Sequence, residues 1–267
     1  MTIISLLTDF GTRDEYVGVI KGVIYGIHAE ATIVDLSHEV PPQDVRSAAY
    51  LLLSAYGYFP EGSIHVAVVD PGVGSKRKIL AAKISGHLFL APDNGLLGPV
   101  MAQGRTEALV TVEAPGLYLQ PVSQTFHGRD IFAPLAAHLS LGCGIERLGN
   151  PMEPGQTVSL PDESPRFNSR GALGGRVVRV DRFGNLITDI SLEQLTTGGF
   201  WEQPASAVIQ VGGANVEGIG TCYADAHPGK LLALIGSSRF LEISVSMGNA
   251  AETLKTQAGA KVTVSKS

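Results

Sequence analysis

The chain has 267 residues, 44 % hydrophobic and 17 % charged. This is a globular balance with length for one large domain or two modest ones, and it excludes a disordered or fibrous protein. A net charge of −5 without any block of Lys or Arg argues against a nucleic-acid partner, which needs a concentrated basic surface, and is compatible with a cationic small ligand.

In chain order, Met1-Thr2-Ile3-Ile4-Ser5 has no basic segment ahead of its apolar stretch, so no secretory signal is expected. Ile3 to Leu7 reads as a strand that runs into Thr8-Asp9. A helical pattern follows from Tyr16 to His28, with Val17, Ile20, Ile24 and Ile27 on one stripe. Gly18, Gly22 and Gly26 form a second stripe, expected to pack closely on a sheet. Thr32 to Leu36 is the next strand, and Asp44 to Ala55 the next helix, buried through Val45, Ala48, Ala49, Leu52 and Leu53. The nearly apolar run Ala48 to Phe59 is too short for a bilayer span of about 20 residues, so no membrane association is expected.

Ile64 to Val69 reads as an uninterrupted buried strand, as a parallel sheet covered on both faces needs. Ile79 to Ile84 and His87 to Leu90 read as strands paired around Ser85-Gly86, and Asp130 to Leu141 as the last helix of this half. The texture changes between Gly149 and Gly171, where Pro151, Pro154, Pro161 and Pro165 stand among Gly and Ser, a linker signature. Beyond it come short β-like runs: Gly174 to Val180, Leu186 to Ile190, Ala207 to Val211, Leu231 to Ile235, Phe240 to Val245 and Lys261 to Val264. The expected architecture is an α/β layered sheet domain over residues 1–160 and a small β-barrel over residues 161–267. Cys143 and Cys222 are the two cysteines, which fits free thiols in a reducing cytoplasm.

Several segments carry side chains suited to chemistry. Asp9 follows the first strand, where open α/β sheets bind ligands, and its two oxygens can accept hydrogen bonds from a ribose diol. A turn or helix cap explains the same residue. Asp70-Pro71-Gly72-Val73-Gly74-Ser75-Lys76-Arg77 follows the buried strand without P-loop spacing. It leaves a carboxylate at a strand end with Arg77 able to fold back, catalytic or simply a structural ion pair. His127, in Thr125-Phe126-His127-Gly128-Arg129-Asp130, stands in a loop before a helix whose N-terminal position suits Asp130. No role is assigned to His28, His38, His65, His87, His138 or His227. No histidine pair has metal-ligand spacing, which leaves a metal site assembled from Asp9, Asp70 and His127 open but without support from the spacing. Asp181-Arg182-Phe183-Gly184-Asn185, the stretch Ser237 to Glu242, and Gly248-Asn249-Ala250 each read alone as turns.

Together these segments resemble the S-adenosylmethionine hydrolases, or hydroxide adenosyltransferases, relatives of the fluorinases and chlorinases. The matching text is Leu7-Thr8-Asp9-Phe10-Gly11, Asp70-Pro71-Gly72-Val73-Gly74, Ala91-Pro92-Asp93-Asn94-Gly95-Leu96-Leu97, Thr125 to Asp130, Phe183-Gly184-Asn185 and Gly236-Ser237-Ser238. The resemblance implies cleavage of S-adenosylmethionine by water to adenosine and methionine, without cofactor, in a homotrimer with active sites at subunit interfaces. It implies that Asp70, Arg77 and His127 handle the water and that Asp9 holds the ribose. It further implies that Asn185, Phe183, Ser237, Glu242 and Ala250 meet the adenosine and that Asp181 faces the methionine ammonium group.

The halogenating relatives carry tyrosine in place of Asp70 and of His127, serine in place of Gly128, and an insertion before Ala91 that this chain lacks. Arg239 stands where the family more often has glycine. A halogenase-like enzyme, a metal-dependent phosphoesterase and a non-catalytic binder of adenosine or S-adenosylmethionine are the alternative readings.

Overall fold

The computed structural model describes residues 2–161 and 165–267, and the chain divides into two compact units, Met1–Pro161 and Asp162–Ser267.

The first unit opens with β1 (Ile3–Thr8), α1 (Tyr16–Ile27), β2 (Thr32–Ser37), α2 (Val45–Ala55) and β3 (Ile64–Val68). It continues with β4 (Ile79–Ile84), β5 (His87–Pro92), α3 (Gly98–Gln103), β6 (Thr106–Val112), α4 (Ala133–Ser140) and β7 (Gly149–Pro151). One sheet results, in the order β2-β1-β3-β5-β4-β6-β7. Its β2-β1-β3-β5 half is parallel, whereas β4, β6 and β7 run antiparallel to their neighbours, so the sheet is mixed rather than wholly parallel.

The two-residue period of a strand divides the apolar positions between two faces. Ile4, Leu6, Val66 and Val68 join Ile20 and Ile24 of α1 and Leu135 and Leu139 of α4 in one core. Leu7, Ala67, Val69 and Phe89 join Ala48 and Leu52 of α2 and Val100 of α3 in the other. The wholly buried β3 therefore serves both faces, as its sequence required. Asp44 caps α2 by accepting the Ser47 amide at 2.9 Å.

Two expectations are overturned here. The glycine stripe of α1 does not pack on the sheet: Gly18, Gly22 and Gly26 are exposed, and a Cβ on any of them would meet open space. The sheet takes the Val17, Ile20 and Ile24 stripe instead, and the glycines, one or two positions off it, turn outward at 3.6 residues per turn. The helix near Asp130 also starts earlier than expected, with a π turn over Gly128–Phe132 that leads into α4. His127 therefore occupies the N-cap position in helical conformation rather than a loop. Asp130 is buried within the turn, accepting from the Ser123 amide at 2.8 Å and from Arg129 at 2.6 Å.

The connection expected between Gly149 and Gly171 includes residues 162–164, which lie outside the described residues. Its described part holds β7 and, in the second unit, β8 (Arg166–Phe167). That unit goes on with β9 (Leu173–Val180), β10 (Leu186–Ser191), α5 (Leu192–Thr197), β11 (Ala207–Val211) and β12 (Ala214–Glu217). It ends with β13 (Leu231–Ile235), β14 (Phe240–Val245), α6 (Ala250–Leu254) and β15 (Lys261–Lys266). Antiparallel pairing in the order β12-β11-β15-β9-β10-β14-β13 curls into a nearly closed barrel, with β8 on β9 and an isolated bridge from Gly220 to Leu234. Inward residues such as Val177, Leu186, Ile209, Leu241, Ile243 and Val264 fill it.

Candidate active site

Parallel pairing of β1 with β3 sets Thr8 opposite Val68, so the chain leaves both strands on the same edge and Asp9 and Asp70 emerge together. Asp9 Oδ2 accepts the Gln43 amide at 2.7 Å. Gln43 holds φ 65° to aim that N–H, a strained conformation of the kind that clusters at functional sites. Asn94, in the Ala91 to Leu97 segment, donates to the Val69 carbonyl at 2.8 Å and so pins the strand end beside Asp70.

Consecutive turns, Val73 to Asp70 and Ser75 to Gly72, fold the following loop back on itself. This return brings Arg77 onto Asp70. Arg77 Nε donates to Oδ1 and Oδ2 at 2.9 and 2.8 Å, Nη2 makes a short ion pair with Oδ2, and the same Nη2 donates to His127 Nδ1 at 2.9 Å. The Arg77 and Asp70 side chains are only 10 % and 5 % exposed, so solvent screens the pair little. Gly74 makes the approach possible. At φ +77° a Cβ there would lie 2.1 Å from the Gln124 carbonyl oxygen, which would force the loop of Asp70 away from the segment leading to His127.

Asp9, Asp70 and His127 line one cavity of about 650 Å³, walled in part by Phe10, Tyr16 and Phe126. These three rings meet at centroid distances of 5.8, 6.0 and 5.0 Å. Gly128 lies under them, where a Cβ would come within 3.1 Å of Ile20 and 3.2 Å of Phe126. Arg77 does not line the cavity; it backs Asp70 and His127.

Arginine only donates, so His127 Nδ1 is the acceptor and the neutral ring carries its hydrogen on Nε2. Burial first, then the Arg77 charge, holds the imidazolium form below the ordinary histidine range. Asp70, Asp130 and a hydrogen bond with the Ser123 backbone oppose that shift without reversing it.

In the second unit, Asp181 closes the β9–β10 turn by accepting the Phe183 and Asn185 amides and the Asn185 side chain, all at 2.9 Å. Phe183 projects at the tip, 77 % exposed. Gly184 lets the turn rest on Asn249, and its carbonyl accepts the Ala251 amide at 3.0 Å. Ala250 is thereby brought beside the turn, with its methyl buried in the barrel core.

Ser237 is exposed in the β13–β14 turn, next to Gly236, which abuts the Glu242 carboxylate. Glu242 is buried and accepts from Tyr223 at 2.6 Å and Ser244 at 2.8 Å. Arg239 in this turn takes φ 64°, the region that favours glycine; the arginine keeps the backbone at a cost in strain. Among the described residues, no three His, Cys, Asp or Glu side chains converge on a metal position, and no helix is long and apolar enough to cross a membrane.

Residues 4–149 match the SAM hydroxide adenosyltransferase N-terminal domain and residues 175–263 match its C-terminal domain. The chain belongs to the SAM hydroxide adenosyltransferase family. It is similar to the (R)-S-adenosyl-L-methionine hydrolase of Thermus thermophilus, at 38 % identity over 97 % of this chain and 98 % of the relative. A fluorinase of an Actinoplanes species is 27 % identical over 99 % and 97 %. An uncharacterised conserved protein of Thermotoga maritima has a crystal structure that superposes with a TM-score of 0.90, at 35 % identity, covering 98 % of this chain and all of that one.

Two participants in this member's geometry escaped the reading of the sequence. Gln43 carries no motif, and its residue type gives no sign of the backbone conformation it adopts. Tyr223 lies in a stretch without periodicity, yet burial and the adjoining Glu242 hold its hydroxyl protonated.

Proposed function

We propose that the chain hydrolyses S-adenosyl-L-methionine to adenosine and L-methionine. The observation that carries this reading is the Asp70–Arg77–His127 cluster, two members of which line the cavity that also holds Asp9. Water oxygen bonds to C5′ as the C5′–S⁺ bond breaks, methionine leaves as a neutral thioether, and one proton is released. A neutral leaving group needs no general acid, so the demand falls on the nucleophile. The Asp70 carboxylate faces the cavity as an acceptor and aligns the water, while Arg77 behind it offsets the carboxylate charge and favours hydroxide character.

His127 cannot serve as base in this arrangement, because its lone pair is engaged by Arg77. Its role is to fix the guanidinium. Asp9 takes the ribose hydroxyls, and Asn185, Asp181, Phe183, Ser237, Glu242 and Ala250 supply the remaining contacts. An anionic Asp70 accepts hydrogen bonds from water and repels a halide, which favours hydrolysis over halogenation.

The relatives' name specifies the R configuration at sulfur, and we extend that preference to this chain. The assembly we propose is a cytoplasmic homotrimer in which each cavity is completed by the barrel residues of a neighbouring copy. In the decisive assay, purified protein receives a mixture of the two sulfonium epimers in oxygen-18 water, and the products are resolved by chromatography. Adenosine and methionine should appear in equal amounts, with label in the 5′-hydroxyl and the R epimer consumed first. Activity abolished by a chelator and restored by metal, or label absent from adenosine, would reject hydrolysis by this route. Loss of the S epimer first would reject only the stereochemical extension.

A further inference from the structure

Behind the ribose-facing edge lies a polar chain that the proposed chemistry leaves unused. His38 is 4 % exposed and Thr8 2 %. His38 Nδ1 lies 2.8 Å from Thr8 Oγ1. Its Nε2 has no well-aligned hydrogen-bond partner but stands 3.0 Å from Asp35 Oδ1, an electrostatic contact. The other Asp35 oxygen takes Lys21 Nζ at 2.6 Å.

A carboxylate beside Nε2 favours the tautomer with hydrogen there, which makes Nδ1 an acceptor. The Thr8 hydroxyl must then donate to Nδ1, and its oxygen lone pair is free to accept the Phe10 amide at 3.3 Å. The His38 carbonyl accepts the Gly11 amide at 2.8 Å. From Phe10 through Thr8 and His38 every donor thus points toward the Asp35 carboxylate, which Lys21 meets from the opposite side. The Phe10 bond spans Asp9 from Thr8, and the Gly11 bond holds the backbone just beyond it.

Hydroxyl, imidazole and carboxylate stand in the order of a nucleophilic triad, but Thr8 is buried and does not line the cavity. No substrate atom reaches it. What the chain reaches is the Thr8–Gly11 segment that carries Asp9.

We infer that Lys21, Asp35, His38 and Thr8 form a positioning chain for Asp9, which sets the carboxylate for bidentate recognition of a vicinal diol. The inference rests on the proposed assignment of Asp9 to the ribose. None of the four side chains touches the ligand; they act through the backbone at residues 10 and 11, while the Gln43 amide holds Asp9 from the other side.

The test compares the affinities of adenosine and 2′,3′-dideoxyadenosine by calorimetry in wild type, Asp9→Ala, Thr8→Val, Thr8→Ser and Asp35→Asn. Thr8→Val keeps the shape and removes the hydroxyl. It should lower the preference for the diol by about tenfold, the scale of one hydrogen bond misplaced. Dideoxyadenosine affinity should hold, and Thr8→Ser should restore the preference.

Asp35 is on the surface, so Asp35→Asn folds even if Thr8→Val does not, and its diol preference should fall in the same direction. Unchanged preference in these variants overturns the inference, as does equal weakening of both ligands with a lowered melting temperature, the mark of a merely structural role. If Asp9→Ala itself leaves the diol preference intact, the ribose assignment fails and the inference with it. If Asp9→Ala abolishes the preference and the chain variants do not alter it, only the inference fails.

Discussion

Arg77→Lys separates charge from geometry at the water-handling cluster. Arginine reaches two partners through a rigid fork: Nε and Nη2 serve Asp70, and Nη2 also serves His127 Nδ1 at 2.9 Å. Lysine keeps the positive charge but ends one bond short of Nη2, as a point donor without the planar fork. It can retain the Asp70 ion pair, so Asp70 is not stranded as an unpaired buried charge and the fold survives. The hydrogen bond to His127 is lost. A hydrogen bond to a charged group contributes about 1.5–3 kcal/mol, and loss of that amount from the transition state is roughly a 10- to 100-fold fall in kcat. Adenosine affinity should change little, since Arg77 does not line the cavity. Initial rates of adenosine release, with a melting curve as folding control, measure both effects. A lysine variant with kcat within about threefold of wild type would show that charge alone suffices, and the role given to the His127 bridge would be wrong.

Other outcomes follow from the same structure. Because burial and Arg77 depress the His127 pKa, its neutral form should persist on acidification through the ordinary histidine range. The kcat profile should therefore stay flat on descending through pH 6.5 and fall only below it; a fall beginning above pH 7 would contradict the Arg77–His127 bond. Arg239→Gly should raise stability by up to about 1 kcal/mol, the left-handed penalty of a side chain less the extra chain entropy of glycine, which a denaturant titration can read; a destabilised variant would show that Arg239 makes a compensating contact. If sites are shared head to tail in a trimer, co-refolded Asp70→Ala and Asn185→Ala chains should recover about a quarter of wild-type activity by random pairing of intact halves. Mixed trimers verified by mass spectrometry but no more active than either mutant would reject the shared site.

Much of the architecture was legible from local pattern. The stripe of Val17, Ile20 and Ile24 answers to the 3.6-residue period, and the short runs of β1, β3 and the strands after Leu173 to their length and flanking turn residues, all of which neighbouring residues alone establish. The hairpin at Ser85-Gly86 was readable for the same reason, since a turn is chemistry within four residues. Sequence also marked Asp9, Asp70 and His127 as chemically able side chains, and the ordered motifs marked the family.

What the pattern could not decide was which of those side chains meet. The outward turn of the α1 glycines depends on what packs on that side of the helix, because a stripe of glycines at helical spacing fits close packing and open solvent equally. The π turn at Gly128 shifts His127 from loop to N-cap through backbone bonding that no residue type announces. Arg77 reaches His127, fifty positions away, because Gly74 lets two loops touch at the Gln124 carbonyl. His38 and Gln43 carry no motif; they matter because parallel pairing of β1 with β2 and β3 places the end of each strand beside Asp9. Local composition determines what each segment can become, whereas hydrogen bonds between distant segments exist only after the sheet has aligned them. The ionisation state of His127 belongs to the second kind, because burial and the Arg77 charge arrive only with the fold.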